Sequence, residues 1–254
     1  MSHHRHRSII LYKAYADLRA ESEKYYISYL WWIIEPILQM CVYYLVFGIL
    51  FDHGTPNYVP FLLIGLITWR WGLAIINEGS HSIARNKHLI RQVYLPKYIF
   101  PTVALFTQTF KFAIVFTLLL VYLWIAGHPP NLGYLALPLV FAAHMTLVMG
   151  VTYILAAIMP YLPDLRLLVD TGLQLLFFVS GVFFSSDSIP QKYHYYFHLN
   201  PMANLLDIYR HILLFHDTWN LRHLVNVNAI GVFFILLGLT MLKLNDRQYA
   251  KVVT

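Results

Sequence analysis

Five ionisable side chains lie inside long apolar stretches and are the first candidates for chemistry: Glu35, Arg70, Lys111, His144 and Asp170. A charge at the centre of a bilayer costs about 2.5 to 3.5 kcal/mol on insertion scales, so such groups usually pair or serve a function. Lys111 lies about 18 Å into its apolar stretch at 1.5 Å per helical residue. We expect it to pair with Asp170 or hydrogen-bond to His144, with substrate contact as an equal alternative. Glu35 and Arg70 lie near a span end, where side chains reach water.

The sequence has no pattern typical of an enzyme or a metal site. No nucleophile, base and orienting residue occur in a recognisable arrangement, and the tract His3, His4 and His6 precedes any folded element, where metal binding has little support. No GxxxxGK[ST] phosphate loop is present, so the chain is not expected to bind ATP by that route. Cys41 is the single cysteine, which excludes an intramolecular disulfide. We therefore expect no catalytic residue, metal or cofactor on this chain.

The composition indicates an all-α integral membrane protein. Of 254 residues 59% are hydrophobic and 12% charged, the mean hydropathy is +0.57, and soluble domains carry about 25% charged residues. Six segments are long and apolar enough to cross about 30 Å of hydrocarbon as helices. The predicted spans are Leu30–Phe51, Val59–Asn77, Tyr98–Ala126, Tyr134–Met159, Leu165–Ser185 and Leu224–Leu244.

The basic residues predict the orientation. Thirteen of the 18 lie in the N-terminal segment, in the loop between the second and third spans, at Arg166 and in the C-terminal segment, whereas the other face has only Lys192, Arg210 and Arg222. Cytoplasmic loops carry the excess of Lys and Arg. Both termini are therefore predicted to be cytoplasmic, with residues 1–29 and 245–254 flanking a transmembrane domain of residues 30–244. A net charge of +6 distributed in this way does not indicate nucleic acid.

The segment before the first span predicts an amphipathic helix. Apolar and weakly polar residues recur there at steps of four and three, namely Leu11, Tyr15, Leu18, Ser22, Tyr25 and Tyr29. This spacing favours a helix lying in the membrane interface. The alternative is a solvated helix packed on the protein.

A polar, partly basic loop of residues 78–97 interrupts the apolar pattern. Ser80 or Ser82 can cap a short helix there, and Leu89, Ile90 and Val93 form an apolar stripe. An apolar stripe on a cytoplasmic loop is expected to be covered by another apolar surface. Either the lipid interface or a groove on a soluble partner would accept it.

Residues 186–222 are too polar to span and are rich in aromatic side chains, which are typical of membrane interfaces. Asn200 followed by Pro201 predicts a helix N-cap and first position.

Four stretches carry a resemblance to a known family: YLWWIIEP at Tyr29–Pro36, SIARNKHLIRQVYLPKYIFP at Ser82–Pro101, PDLRLLVDTGLQLLFFVSGVFF at Pro163–Phe184, and IPQKYHYYFHLNPMANLLDIYRHIL at Ile189–Leu213. In order and spacing they resemble the transmembrane subunit of bacterial polysaccharide-exporting ABC transporters, which export O-antigen, capsular polysaccharide or teichoic acid. The O-antigen type is the most similar. The resemblance implies six spans, an N-terminal interfacial helix and short re-entrant helices between the fifth and sixth spans.

The resemblance also implies roles for particular residues. In that family the loop between the second and third spans contains the coupling helix that docks on the ATPase subunit, which implies this role for Asn86, Leu89, Ile90, Arg91 and Val93. It places the external gate at Tyr195, Tyr196, Asn200, Pro201, Tyr209 and Arg210. Cations suited to a diphosphate at the cytoplasmic entrance are Arg19, Lys24 and Arg85. Rings suited to a sugar channel are Trp31, Trp32, Tyr43, Tyr44, Phe177, Phe178, Phe183 and Phe184.

The function expected from the resemblance is the permease subunit of an ATP-driven exporter in the bacterial inner membrane. Its cargo would be a lipid-linked polysaccharide, with O-antigen on a polyprenyl diphosphate carrier favoured over capsular polysaccharide or teichoic acid. Two copies would form the channel and two separate ATPase subunits would hold ATP and Mg²⁺. A secondary transporter is the alternative from another class, but we find no internal repeat. A membrane glycosyltransferase would need a carboxylate or histidine constellation that the sequence lacks.

Overall fold

The computed structural model describes residues 3–23, 28–50, 57–246 and 248–249, and within these ranges it contains helices and no strand. This confirms the predicted all-α class. The helices are α1 (His3–Glu23), α2 (Ser28–Tyr43, continued by π-helical Tyr44–Leu50), α3 (Tyr58–Ser80), α4 (Ser82–Arg85), α5 (Lys87–Gln92), α6 (Ile99–Ile125), α7 (Leu137–Ile158, preceded by 3-10 helical Leu132–Ala136), α8 (Leu165–Val179), α9 (His194–His198), α10 (Pro201–Arg210, continued by π-helical His211–Phe215) and α11 (Leu221–Leu244). Two 3-10 turns, Ser186–Ser188 and Gln191–Tyr193, precede α9.

Four helices of the described part are long and apolar enough to cross a membrane: α3, α6, the continuous helix Leu132–Ile158, and α11. They coincide with the second, third, fourth and sixth predicted spans. The first predicted span is helical from Ser28 to Leu50, with a change to π-helix at Tyr44. At the fifth predicted span, α8 has 15 residues. That is about 22 Å of helix, less than the roughly 30 Å of a hydrocarbon core.

A local break explains why α8 ends at Val179 rather than at the predicted Ser185. Gly181 has φ +72°, a left-handed conformation that glycine adopts without strain and that ends many helices. The Ser180 hydroxyl donates to the Leu176 carbonyl at 2.6 Å. The chain therefore leaves the helix early, and the Gly181 and Val182 carbonyls become available to other donors.

Helix α3 lies at the centre of the bundle. Of its spanning window 78% is buried, compared with 22% for α11. Trp71 of α3 stacks on Phe112 of α6 with ring centroids 4.1 Å apart, and its edge contacts Phe141 of α7. His144 of α7 packs beside Trp71 and lies 3.4 Å from the Tyr209 hydroxyl of α10. Aromatic packing thus joins four helices into one core.

Helices α7 and α11 approach each other closely at glycines on both helices. A Cβ added to Gly231 would lie 2.6 Å from the Leu147 backbone nitrogen, and one added to Gly150 would lie 2.8 Å from the Gly231 carbonyl oxygen. Two turns further along α11, a Cβ on Gly238 would lie 2.6 Å from the Tyr153 Cβ. Small residues allow helix backbones to pack at short range in membranes. The two helices therefore form a tightly packed pair.

We expect Gly231→Ala to separate this pair and to destabilise the protein by about 1–3 kcal/mol, the usual range for overpacking. Thermal unfolding in detergent should show an apparent Tm several degrees lower. Gly172→Ala on α8 is the matched control, because a Cβ added there would have no atom within 4 Å. Equal melting temperatures for the two variants would contradict the close packing.

Helix α1 packs on the protein with a different face from the predicted apolar stripe. Ile10 and Ala14 are buried, in one cluster with Ile83 and Ile90. Of the predicted stripe, Leu11 is 59% and Tyr15 is 63% exposed. The helix thus packs on the protein and also presents an outward apolar face.

The predicted partners of Lys111 are wrong. Its ammonium donates to both carboxylate oxygens of Glu21 on α1, at 2.5 and 2.6 Å. Asp170 instead pairs with Arg166 one turn earlier on α8, at 3.6 Å. The reason is that α1 folds back along α6 and covers the face that carries Lys111, which the sequence pattern does not show.

Candidate functional site

A cavity of about 510 Å³ lies between α3 and α8. Its apolar wall is formed by Leu66, Trp69, Leu73, Leu173 and Phe177. Its polar wall is formed by Arg70, Asn77, Glu78, His81, Arg85, Arg166, Asp170 and Gln174. These polar residues come from the C-terminal half of α3, from α4 and from the first turns of α8. The cavity therefore opens at the end of the bundle that the charge distribution predicts to be cytoplasmic.

Three arginines in this cavity come from three different helices: Arg70 from α3, Arg85 from α4 and Arg166 from α8. Arg85 pairs with Glu78 and Arg166 with Asp170. The side chains of both arginines are at least 60% exposed. Exposed ion pairs contribute only about 0–1 kcal/mol, so an incoming anion can compete for these guanidinium groups. Planar guanidinium groups bind phosphate through two parallel hydrogen bonds.

A second cavity, of about 480 Å³, lies between α1 and α6. Lys13, Asp17 and Glu21 line it from α1, Lys111 lines it from α6, and Arg85 also reaches it. The pairs Lys13–Asp17, at 3.1 Å, and Lys111–Glu21 balance its charges. Because Glu78 also lines this cavity, its three cations are matched by three carboxylates. The first cavity has three arginines and two carboxylates and is the better candidate for an anion.

The predicted diphosphate entrance is only partly assembled. Arg85 lines both cavities, Arg19 is exposed on α1 and lines neither, and Lys24 lies outside the described residues. Arg70 and Arg166 were missed as site residues by sequence reasoning. Their position near the ends of two predicted spans, on the side predicted to be cytoplasmic, was a signal, but only the fold shows that these ends meet.

The predicted channel aromatics fall into three groups. Phe177, Phe178 and Phe183 form one cluster, with Phe177 also 5.7 Å from Trp69 in the cavity wall. Phe184 packs on Phe197, 6.0 Å away. On the first predicted span Trp31 and Tyr44 are about half exposed. The side chains of Trp32 and Tyr43 lie outside the described part.

The coupling segment consists of two short helices, α4 and α5, joined at Asn86. The predicted serine caps are wrong, since Ser80 donates to the Asn77 carbonyl and Ser82 to the Gly79 carbonyl. Both hydroxyls therefore bond to carbonyls in the last turn of α3 instead of capping a following helix. Asn86 donates its side-chain amide to the Ser82 carbonyl at 2.8 Å and so fixes the junction.

The predicted apolar stripe is divided between two surfaces. Ile90 is 6% exposed and belongs to the cluster beneath the segment, and Leu89 packs against that cluster. Val93 is 50% exposed, and Arg91 is exposed as well. Arg91 and Val93 are therefore the members that a partner could contact directly.

At the other end of the bundle, Arg210 joins three segments. The residue is 3% exposed. Its guanidinium donates to the Phe61 carbonyl at 3.3 Å, the Gly181 carbonyl at 2.7 Å and the Val182 carbonyl at 2.8 Å. It also lies 3.4 Å from the centre of the Phe61 ring, a cation–π contact. Arg210 thus fastens α10 to the start of α3 and to the end of α8.

The remaining predicted gate residues lie around this junction. Asn200 caps α10 as predicted, accepting from the Met202 N–H at 3.0 Å, and Pro201 is the first residue of the helix. The Asn200 amide also donates to the Ser180 hydroxyl at 2.8 Å. Tyr209 is fully buried, whereas Tyr195 and Tyr196 are exposed. The two exposed tyrosines are therefore available to a ligand, and Tyr209 is part of the core.

His211 lies between two carboxylates at the same end of the bundle as Arg210. The neighbouring carboxylates of Asp207 and Asp217, opposed by burial, raise the pKa of His211 to about 9. Nδ1 lies 2.5 Å from the Asp217 carboxylate and Nε2 lies 3.6 Å from Asp207. At neutral pH the ring is protonated, and it links the end of α10 to the loop before α11.

The ABC-2 type transporter family model matches residues 18–214, well over half of the chain. The chain belongs to the ABC-2 type transporter family. The matched range of this ABC-2 transporter runs from α1 to the π-helical end of α10. It includes the coupling segment, Arg210, all of the first cavity and most of the second, whereas α11 lies outside it.

The ABC-2 transporter is similar over 78–98% of its length to named export permeases and to a named transport protein. It is 24% identical over 238 residues to the O-antigen export system permease protein RfbA of Klebsiella pneumoniae, covering 93% of this chain and 92% of that protein. It is 26% identical over 250 residues to the RfbA permease of Myxococcus xanthus, covering 98% and 96%. The polysialic acid transport protein KpsM of Escherichia coli is 26% identical over 203 residues, or 78% of each chain.

Proposed function

We propose that this ABC-2 transporter is the permease subunit of an ATP-driven exporter that moves a lipid-linked polysaccharide across the bacterial inner membrane. The observation that carries the proposal is its similarity to O-antigen export permeases over 93–98% of its length. O-antigen on a polyprenyl diphosphate is the favoured cargo. The KpsM relative, which covers 78% of the chain, supports capsular polysaccharide as the second candidate.

The cavity between α3 and α8 suits the carrier of such a cargo. A lipid diphosphate combines an apolar chain with two phosphates that are costly to bury unless they are paired. Arg70, Arg85 and Arg166 would receive the diphosphate, and Trp69 and Phe177 would contact the adjoining lipid or sugar. This set replaces Arg19 and Lys24 of the sequence-based prediction as the main anion contacts.

We propose a six-span topology with both termini in the cytoplasm, α1 in the membrane interface, and α9 and α10 as re-entrant helices at the external side. Two copies would enclose the channel, since six helices alone leave little room for a polymer. The external tyrosines Tyr195 and Tyr196 would contact the emerging glycan. Irregular backbone at membrane depth is tolerated only when its polar groups are bonded within the protein. Arg210 of α10 provides such bonds for the Gly181 and Val182 carbonyls just after α8.

The energy source would be two separate ATPase subunits that bind ATP and Mg²⁺. Each would contact the exposed side of α5 around Arg91 and Val93. Movement of α5 would pass to α3 through α4 and would change the separation of α3 and α8 around the carrier. The chain belongs to a family of ABC transporters. This membership gives no support to the alternative functions of secondary transporter and glycosyltransferase.

The test is to reconstitute the chain with an ATPase subunit, sought among the products of the neighbouring genes by its phosphate loop. We expect the two proteins to co-purify and a polyprenyl-diphosphate-linked glycan to stimulate ATP hydrolysis. Arg70→Gln combined with Arg166→Gln should raise the glycan concentration needed for half-stimulation at least about tenfold, because each charge-assisted hydrogen bond contributes about 1.5–3 kcal/mol. Arg222→Gln, an exposed arginine at the opposite end, is the control. A wild-type chain that binds no ATPase, or whose complex ignores the glycan, would overturn the proposal.

A further inference from the structure

The segment that connects α5 to α6 is bonded to the first residues after α11. The Asp246 carboxylate accepts from the Tyr94 hydroxyl at 2.5 Å and from the Lys97 backbone N–H at 3.1 Å. The Lys97 ammonium lies 3.8 Å from the same carboxylate. The Asp246 side chain thus accepts two hydrogen bonds from, and forms one ion pair with, a segment about 150 residues earlier.

The Lys97 contacts are largely buried, whereas the Tyr94 side chain is 64% exposed and its bond to Asp246 lies at the surface. The Lys97 side chain is 3% and the Asp246 side chain 15% exposed. Burial lowers the pKa of Lys97, and the Asp246 charge opposes this effect. Lys97 also donates to the Leu95 carbonyl at 3.0 Å. Charge-assisted bonds that are shielded from water are stronger and more sharply directed than surface pairs.

A second contact fastens the same end of the chain. Tyr249 is fully buried, and its hydroxyl donates to the Ala157 carbonyl in the last turn of α7 at 3.0 Å. Leu95, Leu242 and Tyr249 belong to one buried cluster with Ile90 of α5. The residues after α11 therefore contact both the coupling segment and α7.

The body to which Asp246 attaches is the glycine-packed pair of α7 and α11. Because their backbones lie too close to allow a Cβ at Gly231 or Gly238, one helix cannot shift past the other without losing contact. A displacement applied to the end of α11 would therefore move both helices. In contrast to the α7–α11 pair, α3 is connected to α5 covalently, through α4.

We propose that Asp246 is a positioning residue for energy coupling, which transmits movement of the ATPase-docking segment to the α7–α11 pair. The proposal rests on the proposed function, since it requires an ATPase that moves α5. A movement of α5 would then have two routes. It would reach α3 through the covalent chain, and it would reach the α7–α11 pair through the hydrogen bonds of the Asp246 carboxylate. Without the carboxylate, α5 moves and ATP is hydrolysed, but α7 and α11 lag behind.

The experiment measures the ATP hydrolysed per glycan exported by the reconstituted complex. Asp246→Ala should still bind the ATPase and hydrolyse ATP within about twofold of wild type, while the ATP consumed per glycan rises at least tenfold. Tyr94→Phe, which removes one donor, should give a smaller rise. Asp187→Ala, an exposed carboxylate in the external segment, is the matched control. A mere loss of stability would lower hydrolysis and export together and leave the ratio unchanged.

Two results separate the inference from the proposed function. If the wild-type chain binds no ATPase or exports nothing, the proposed function fails. If the wild-type complex exports glycan and Asp246→Ala keeps the wild-type ratio, the inference alone is overturned. If Asp246→Ala does not fold, the same ratio is measured for Asp246→Asn and Tyr94→Phe, because both substitutions keep the approximate size of the side chain. A wild-type ratio in these two variants would equally overturn the inference.

Discussion

Arg91→Glu combined with Val93→Asp should release the ATPase subunit and reduce export at least about 100-fold. Both side chains are exposed at the end of α5, with Val93 50% exposed, so the substitutions leave the bundle intact. At the proposed interface they place a carboxylate in an apolar contact and reverse a charge. Mispaired charges in an interface cost about 2–5 kcal/mol, and 100-fold corresponds to about 2.7 kcal/mol. Co-purification with the tagged ATPase and labelling of glycan at the cell surface measure the two effects.

The matched control places the same kinds of substitution at the opposite end of the bundle. Leu132→Asp and Arg222→Glu change an exposed apolar residue, 87% exposed, and an exposed arginine. We expect this double variant to bind the ATPase normally. Normal ATPase binding by the Arg91→Glu, Val93→Asp variant would show that the docking surface lies elsewhere.

Ile90 is unsuitable for this test although it belongs to the predicted apolar stripe. It is 6% exposed and packs with Ile10, Ile83 and Leu95, so aspartate there would bury an unpaired charge and disrupt the fold. The stripe in the sequence correctly indicated a surface that must be covered. It could not indicate that α1 and the loop before α6 cover part of it.

Local features were predictable because they depend on neighbouring residues. The start of α10 follows from Asn200 and Pro201 alone, since an N-cap bond and a fixed proline φ act within one turn. The four helices that are long and apolar enough to span follow from the length of their apolar runs. The early end of α8 was less visible, because Gly181 lies within an otherwise apolar run that continues to Phe184.

Contacts between distant segments were not predictable from one sequence. Lys111 pairs with Glu21 rather than Asp170 because α1 folds back along α6. Phe177 was predicted as a substrate contact, but its neighbours Arg70 and Arg166 were assigned only to the span end and to the topology. Their common cavity exists only because α3 and α8 lie side by side, and pattern or propensity carries no information on that arrangement.

Arg210→Gln should destabilise the end of the bundle around α10 by at least about 3 kcal/mol and abolish the proposed export. The substitution leaves the carbonyls of Phe61, Gly181 and Val182 without their donor, and each unsatisfied buried group costs about 1–3 kcal/mol. Arg210→Lys should recover less than half of the loss, because an ammonium is a compact donor that does not reproduce the guanidinium fork. Thermal unfolding in detergent and protease sensitivity of residues 186–222 measure the effect.

The Arg210 contacts also explain why the effect should extend beyond α10. A Cβ on Gly65 of α3 would lie 2.6 Å from the Arg210 Nη2, so the guanidinium fills the space between α3 and the end of α8. Removing it leaves a cavity as well as unpaired carbonyls, and the three segments can then move independently. Arg222→Gln is the control, since this arginine is exposed on the first turn of α11 and should change stability by no more than about 0.5 kcal/mol. If Arg210→Gln melts within about 1–2 °C of wild type, the shift expected for a surface change, the three carbonyls have other donors and Arg210 does not hold the external end together.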